Sequence, residues 1–227
     1  MTLTRKVSEP MPLSIQFQPS KTSNFGGDDI TGRFRSGRKS QGKIQGLKTW
    51  RATSDDKKVT DAIAKVLGGK SAEWDTTKDD KWEVITEAEA LDITLEYLNV
   101  QMVLWGSGSG GKPVRVCDGT VRQDAGSSCE CPADIRERKA AAKNGLACKP
   151  ETQALWRLTD MPELGKFRYV SSSYQLADTV TRLEGELADA GGSALATVTL
   201  KPVSFESNGQ TINFTKPIIT IKEPVAA

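Results

Sequence analysis

All four cysteines of this chain fall between positions 117 and 148, and the chain contains no histidine. Their order is Cys117, eleven residues, Cys129, one residue, Cys131, sixteen residues, Cys148. A fold that gathers every thiol into one short segment closes them around a soft metal ion, joins them as disulfides, or buries them as free thiols. Without histidine, a zinc ion would have to be held by thiolates or carboxylates. The same absence removes a Ser-His-Asp triad, a Cys-His dyad and any histidine general base.

Between the three readings, the surroundings favour metal. The N-terminal run MTLTRKVSEPMPLSIQF has no apolar h-region and no small-residue cleavage site, and it reads as a mature cytosolic start. Cytosolic thiols stay reduced, which counts against the three pairings that two disulfides would allow. Asp118-Gly119 supplies a turn after the first cysteine, and Pro132 and Pro150 restrain the backbone just past Cys131 and Cys148. The Cys-x-Cys step departs from the commoner Cys-x₂-Cys knuckle, so the turn at Cys129 and Cys131 must differ. We therefore expect Cys117, Cys129, Cys131 and Cys148 to hold one structural zinc. Four protein ligands leave no position for a reactive water.

The 227 residues are 37% apolar, enough for a real core, and no apolar run approaches the roughly 18 residues that span a bilayer. Charge is almost balanced, 31 basic against 29 acidic residues, where a protein holding DNA mainly through phosphates would show a larger basic excess. The densest basic stretch is Arg33, Arg35, Arg38, Lys39 and Lys43, inside an aperiodic Gly- and Ser-rich segment that reads as a mobile arm.

Hydrophobic periodicity predicts strands over 12–17, 44–53, 82–86, 91–97, 101–105, 153–158, 166–170, 194–205 and 210–221, the last two joined at the Ser207-Asn208-Gly209 turn. It predicts helices from Ser54 or Asp55 to about 67, over 133–143, and over 174–190 with Leu176, Val180, Leu183 and Leu187 on one face. KTWRATS and KFRYVSSS each precede a helix that stops at a Gly-Gly pair. This likeness suggests an α+β fold of two ferredoxin-like βαβ halves with a zinc-stapled insertion. The expected division is 1–43, an N-terminal strand and flexible basic arm; 44–112, the first half; 113–150, the four-cysteine zinc-binding segment; and 151–227, the second half.

Other motifs weaken on inspection. Gly106 to Lys112 fits G-x₄-G-K, but Pro113 stands where a phosphate loop needs Ser or Thr, so GSGSGG reads as a connector. The paired carboxylates Asp28-Asp29, Asp55-Asp56 and Asp79-Asp80 read as solvated turns and caps. The five tryptophans read as core or interface anchors. Arg136, Lys139 and Lys143 share one helix face, which is either simply solvated or a docking surface for an acidic helix or DNA backbone.

One ordered set of segments goes further: WRATS, the acidic tryptophan segment WDTTKDDKWEVITEA, RVCDG, CECP, KNGLACKPET and PELGKFR. Over 47–221, and most specifically over 115–152, this order resembles a family of actinobacterial phage proteins. That family includes the recombination directionality factors of Streptomyces-phage large serine integrases. The resemblance implies a non-enzymatic protein in the cytoplasm of a phage's bacterial host. It would bind a large serine integrase at its C-terminal zinc domain and coiled coil, favour attL × attR synapsis, and so switch integration to excision. DNA would be met only through the integrase, with no small-molecule substrate and no membrane. The alternative is a nucleic-acid-binding zinc protein of phage metabolism, acting through the basic arm and the Arg136 face. A third reading, an enzyme of phage nucleotide or RNA metabolism, has the missing histidine and the failed phosphate loop against it.

Overall fold

The computed structural model describes residues 29–40, 43–76, 79–106, 112–123, 125–207 and 210–224. The strand expected at 12–17, the connector GSGSGG (its first glycine apart) and the Asn208-Gly209 pair lie outside them. Ten strands and three helices follow one another: β1 (Ile30–Ser40), β2 (Lys43–Ser54), α1 (Lys57–Leu67), β3 (Ser71–Glu73), β4 (Trp82–Ile85), β5 (Ala90–Trp105), β6 (Pro113–Cys117), α2 (Ile135–Lys143), β7 (Lys149–Leu158), β8 (Lys166–Ser171), α3 (Tyr174–Asp189), β9 (Ala194–Ser207) and β10 (Gln210–Pro224). The class is α+β, and the strands form one sheet in the order β10-β9-β5-β7-β8-β1-β2-β4-β3, with β6 added beside β5. No helix among the described residues is long and apolar enough to cross a membrane.

The ferredoxin-like halves are not confirmed. β2-α1-β3-β4 and β8-α3-β9-β10 do share the order strand, helix, Gly-Gly, hairpin. In the sheet, however, β4 pairs with β2, whereas β9 pairs with β5, two strands removed from β8. Positions 30–40, expected within a mobile arm, form β1. This strand sits inside the sheet, antiparallel to β2 and parallel to β8.

Where periodicity predicts two short strands, β5 is a single strand of sixteen residues. Its alternating buried positions run Leu91, Ile93, Leu95 and then Leu98, Val100, Met102, with Val103 buried as well. The odd-to-even change coincides with a register shift against β7 between Leu95 and Tyr97. A bulge at Glu96 inserts one residue and keeps both apolar sets on the same face. β5 also has three neighbours: β7 along one edge, and on the other β9 beside residues 90–95 and β6 beside 102–105.

The helices close over one core. α1 is capped by Asp56, whose Oδ1 accepts from Lys58 N–H at 2.8 Å, and buries Val59, Thr60 and Ile63. It stops at Gly68-Gly69, where φ is +76° and +92°, and a Cβ on Gly69 would stand 2.1 Å from the Ile85 carbonyl oxygen. α3 is capped by Ser173 and buries the expected Leu176, Val180, Leu183 and Leu187, with Ala177. Both stripes join the sheet's Leu91, Ile93, Leu95, Val198 and Leu200 and an aromatic cluster of Phe34, Trp50, Trp156, Phe167 and Tyr169. On β1, β2 and β4 the polar residues interlock. Asp80 accepts from Arg35 Nη2 and Thr53 Oγ1, both at 2.7 Å, and Glu83 pairs with Arg51 at 2.5 Å and Arg38 at 3.3 Å. Burial works against the Asp80 carboxylate, but the Thr53 and Arg35 hydrogen bonds outweigh it and hold its pKa below the ordinary value.

Half-buried Glu184 sits beside the apolar stripe of α3, and desolvation alone raises its carboxyl pKa to about 7. The folded state therefore prefers the protonated form. Stability associated with this group is present below the ordinary carboxylate pKa of about 4.3 and is lost as pH climbs toward 7. Glu184→Gln should raise the thermal midpoint more at pH 8 than at pH 5. Equal differences from the parent at the two pH values would refute this.

Candidate metal centre

The cysteine module hangs from two strands. Met102 to Leu104 of β5 pair with Cys117 to Arg115 of β6, which sets Cys117 at the last position of its strand. Asp118 then turns the chain. Its Oδ1 accepts from Thr120 N–H at 2.8 Å, Thr120 Oγ1 at 2.9 Å and Val121 N–H at 2.7 Å. Gly119 takes φ +104° in this turn. The loop runs out and back through bridges Cys117↔Arg122 and Val121↔Ser128, and Cys129 N–H donates to Thr120 O at 2.6 Å. Cys129 and Cys131 thus return to the side of Cys117. Asp134 caps α2 through the Arg136 and Glu137 N–H groups. After Asn144-Gly145 the chain reaches Cys148, directly before β7, which pairs with β5 at Val103↔Lys149.

The structure brings together all four residues singled out in the sequence. Their sulfurs lie within 4.8 Å of one another, and none is joined in a disulfide. Cys117 and Cys148 are fully buried, Cys131 nearly so, and Cys129 half-buried. A tetrahedral ion with bonds near 2.3 Å needs sulfurs about 3.8 Å apart, so small side-chain adjustments bring this set onto one ion. The electrostatics agree. The hydrogen bond from Cys148, against the cost of burial, lowers the Cys117 pKa to about 6. Burial raises Cys129 to about 11, and the hydrogen bond to Cys117 pushes Cys148 upward. Ionisation of one thiol in this cluster opposes ionisation of the others, and a cation bound among the sulfurs would relieve that repulsion.

Two arginines that the sequence reading passed over organise the site. Arg138 Nε donates to Pro132 O at 2.8 Å and Nη2 to Gly119 O at 2.7 Å, so α2 grips the loops after Cys117 and Cys131. Arg115 Nη1 lies 3.7 Å from Cys131 Sγ, and the Cys148 N–H donates to that sulfur at 3.1 Å. Both compensate thiolate charge. Arg115 had a signal, since it stands two residues before Cys117 on a strand and so faces the same side. Arg138 had none, because its acceptors are backbone carbonyls of distant loops. An ion held by all four sulfurs would cross-link β6, the loop and the start of β7.

The basic candidates lie outside the cysteine cluster. Arg33 and Arg35 lie on β1 in the Asp80 pairs, and Arg38 pairs with Glu83. Lys39 and Lys43 lie in β1 and β2. Lys139 stands over the Tyr174 ring at 4.6 Å.

The family model described as Gp3-like, recombination directionality factor-like, matches residues 31–222. No solved structure matches the chain.

Proposed function

The chain belongs to the Gp3-like, recombination directionality factor-like family, and from that membership we propose that it binds a phage large serine integrase and turns it from integration to excision. The observation that carries this reading is the extent of the family match. It runs from the second residue of β1 to within two residues of the end of β10, and so takes in the sheet, the three helices and the cysteine module. The family is one of regulatory factors, so the recombinase's own serine cuts and rejoins DNA, and this chain contributes binding energy alone. It works in the cytoplasm of the phage's bacterial host and docks on the integrase's C-terminal zinc domain and coiled coil.

A binding protein can redirect a recombinase only through unequal affinity for its two arrangements. Moving a population from 1:99 to 99:1 takes about 10⁴-fold tighter binding to the arrangement that synapses attL with attR. Such selectivity needs a stiff ligand. On this reading Cys117, Cys129, Cys131 and Cys148 hold a structural zinc, which ties the end of β6 to the loop and to the start of β7. Arg138 and Asp134 fix the pose of α2, and the aromatic core fixes the sheet beneath.

The test is an excision assay with purified protein and the serine integrase encoded beside it, on a plasmid carrying attL and attR. Excision only when both proteins are present supports the reading. An integrase that is active in integration yet stays unidirectional with this protein added would sink it.

A further inference from the structure

The basic features that the sequence keeps about a hundred residues apart meet across one groove. It has a volume of about 2180 Å³ and opens between the β1–β2 hairpin, the cysteine module, the start of α3 and the β9–β10 hairpin. Arg35 and Arg38 of β1 and Lys48 and Arg51 of β2 line one part. Lys139 and Lys143 of α2, with Lys149 at the start of β7, line another. Among the described lining residues the single carboxylate is Asp75. Arg35, Arg38 and Arg51 each pair with Asp80 or Glu83, but Lys48, Lys139, Lys143 and Lys149 have no ion-pair partner among the described residues. The positive end of the sixteen-residue α3 also faces the groove through Ser171 to Gln175. A chain with a net charge of only +2 has thus placed uncompensated cations in one concavity.

The groove is not purely cationic. Val170 and Phe214, 42% and 38% exposed, line it, together with Trp74, Tyr174, Pro202 and Pro217. A DNA backbone would satisfy the lysines and leave Val170 and the prolines against water. An amphipathic helix with one acidic and one apolar side would satisfy both sets.

We propose that this groove is the docking site for an acidic amphipathic helix of a protein partner. Lys48, Lys139, Lys143 and Lys149 take its carboxylates, and Val170, Tyr174 and Phe214 take its apolar side. Naming that partner as the serine integrase rests on the function proposed above; the chemistry of the groove does not. Carboxylates of the helix would replace water around the lysines, and the pairing should weaken as salt rises.

The experiment compares the full chain with K139E/K143E/K149E and with a matched control, K58E/K65E/K70E, whose sites lie outside the groove. Circular dichroism and thermal unfolding first establish that each variant folds. Each is titrated with three probes: a synthetic eighteen-residue helical peptide with Glu along one side and Leu along the other, the integrase, and a DNA duplex. The expected result is peptide and integrase binding at least tenfold weaker for the groove variant and within twofold of the parent for the control. Peptide binding that is absent in the parent, or equal in both variants, overturns the groove. DNA binding with a steep salt slope, lost only in the groove variant, also overturns it and makes this a nucleic-acid site. Peptide binding that behaves as expected while the integrase fails to bind leaves the groove standing and removes the proposed function. Integrase binding indifferent to the groove variant does the reverse.

Discussion

Removing the metal proposed at the four cysteines is expected to unfold the cysteine module while the main sheet stays folded. The module has little else to hold it. α2 has nine residues and buries none, well short of the roughly 12–15 at which an isolated helix becomes marginally stable. The small core beneath it, Met102, Cys117, Cys131, Ala147 and Cys148, consists mostly of the cysteines themselves. Binding energy at a closed four-thiolate site is therefore folding energy for this segment, of the order of 10–16 kcal/mol for structural zinc at neutral pH. The main core contains none of the four cysteines and draws on β1, β2, β5, β7, β8, β9 and two helices. Cys129→Ser with Cys131→Ser, or chelation of the parent, should accordingly abolish hydrogen-exchange protection across 113–150 and leave α3 and β9 protected. Binding to the integrase should be lost with it. A metal-free double variant that keeps its protection and its binding would remove the structural-metal reading. Collapse of the whole sheet would show instead that the module is part of the main core.

How much of this is legible in the sequence depends on whether the signal is local. α3 is legible because Ser173, Leu176, Val180, Leu183 and Leu187 carry its cap and stripe within one segment. The gathering of the cysteines is legible because four thiols in one short segment, with no competing histidine, leave few partners to choose among. β1 is not, since Gly32, Gly37 and its alternating arginines read as loop. Asp80 and Glu83, which pair with Arg33, Arg35 and Arg38, are contributed by chain some forty residues on. β5 reads as two strands because the Glu96 bulge breaks the period that marks a strand. Val66 shares the helical spacing of Val59 and Ile63 and is nevertheless half exposed, since only Val59, Thr60 and Ile63 of α1 are buried. The topology itself is non-local: β9 finds β5 about a hundred residues earlier, and no property of either strand announces the pairing.

Truncating Trp156 to alanine is expected to cost about 3–5 kcal/mol, a large share of the roughly 5–15 kcal/mol that holds a domain together. Its fully buried ring lies 5.9 Å from Phe34, 6.2 Å from Trp50 and 5.3 Å from Tyr169, so it ties β7 to β1, β2 and β8 at once. The two central tryptophans should nevertheless respond differently to phenylalanine. Trp156 Nε1 is buried without a hydrogen-bond partner among the described residues. Trp156→Phe removes that orphan donor and keeps most of the packing, so its cost should stay near about 1 kcal/mol. Trp50 Nε1 donates to Glu89 O at 3.1 Å, at the turn where Trp50 N–H also meets Ala88 O. Trp50→Phe loses that bond and should cost about 1–2 kcal/mol more than Trp156→Phe. Urea unfolding of the three variants reads the order directly. If Trp156→Phe proved as damaging as Trp156→Ala, or if Trp50→Phe were the milder of the two phenylalanine changes, ring packing and the orphan donor would not be what sets this core's stability.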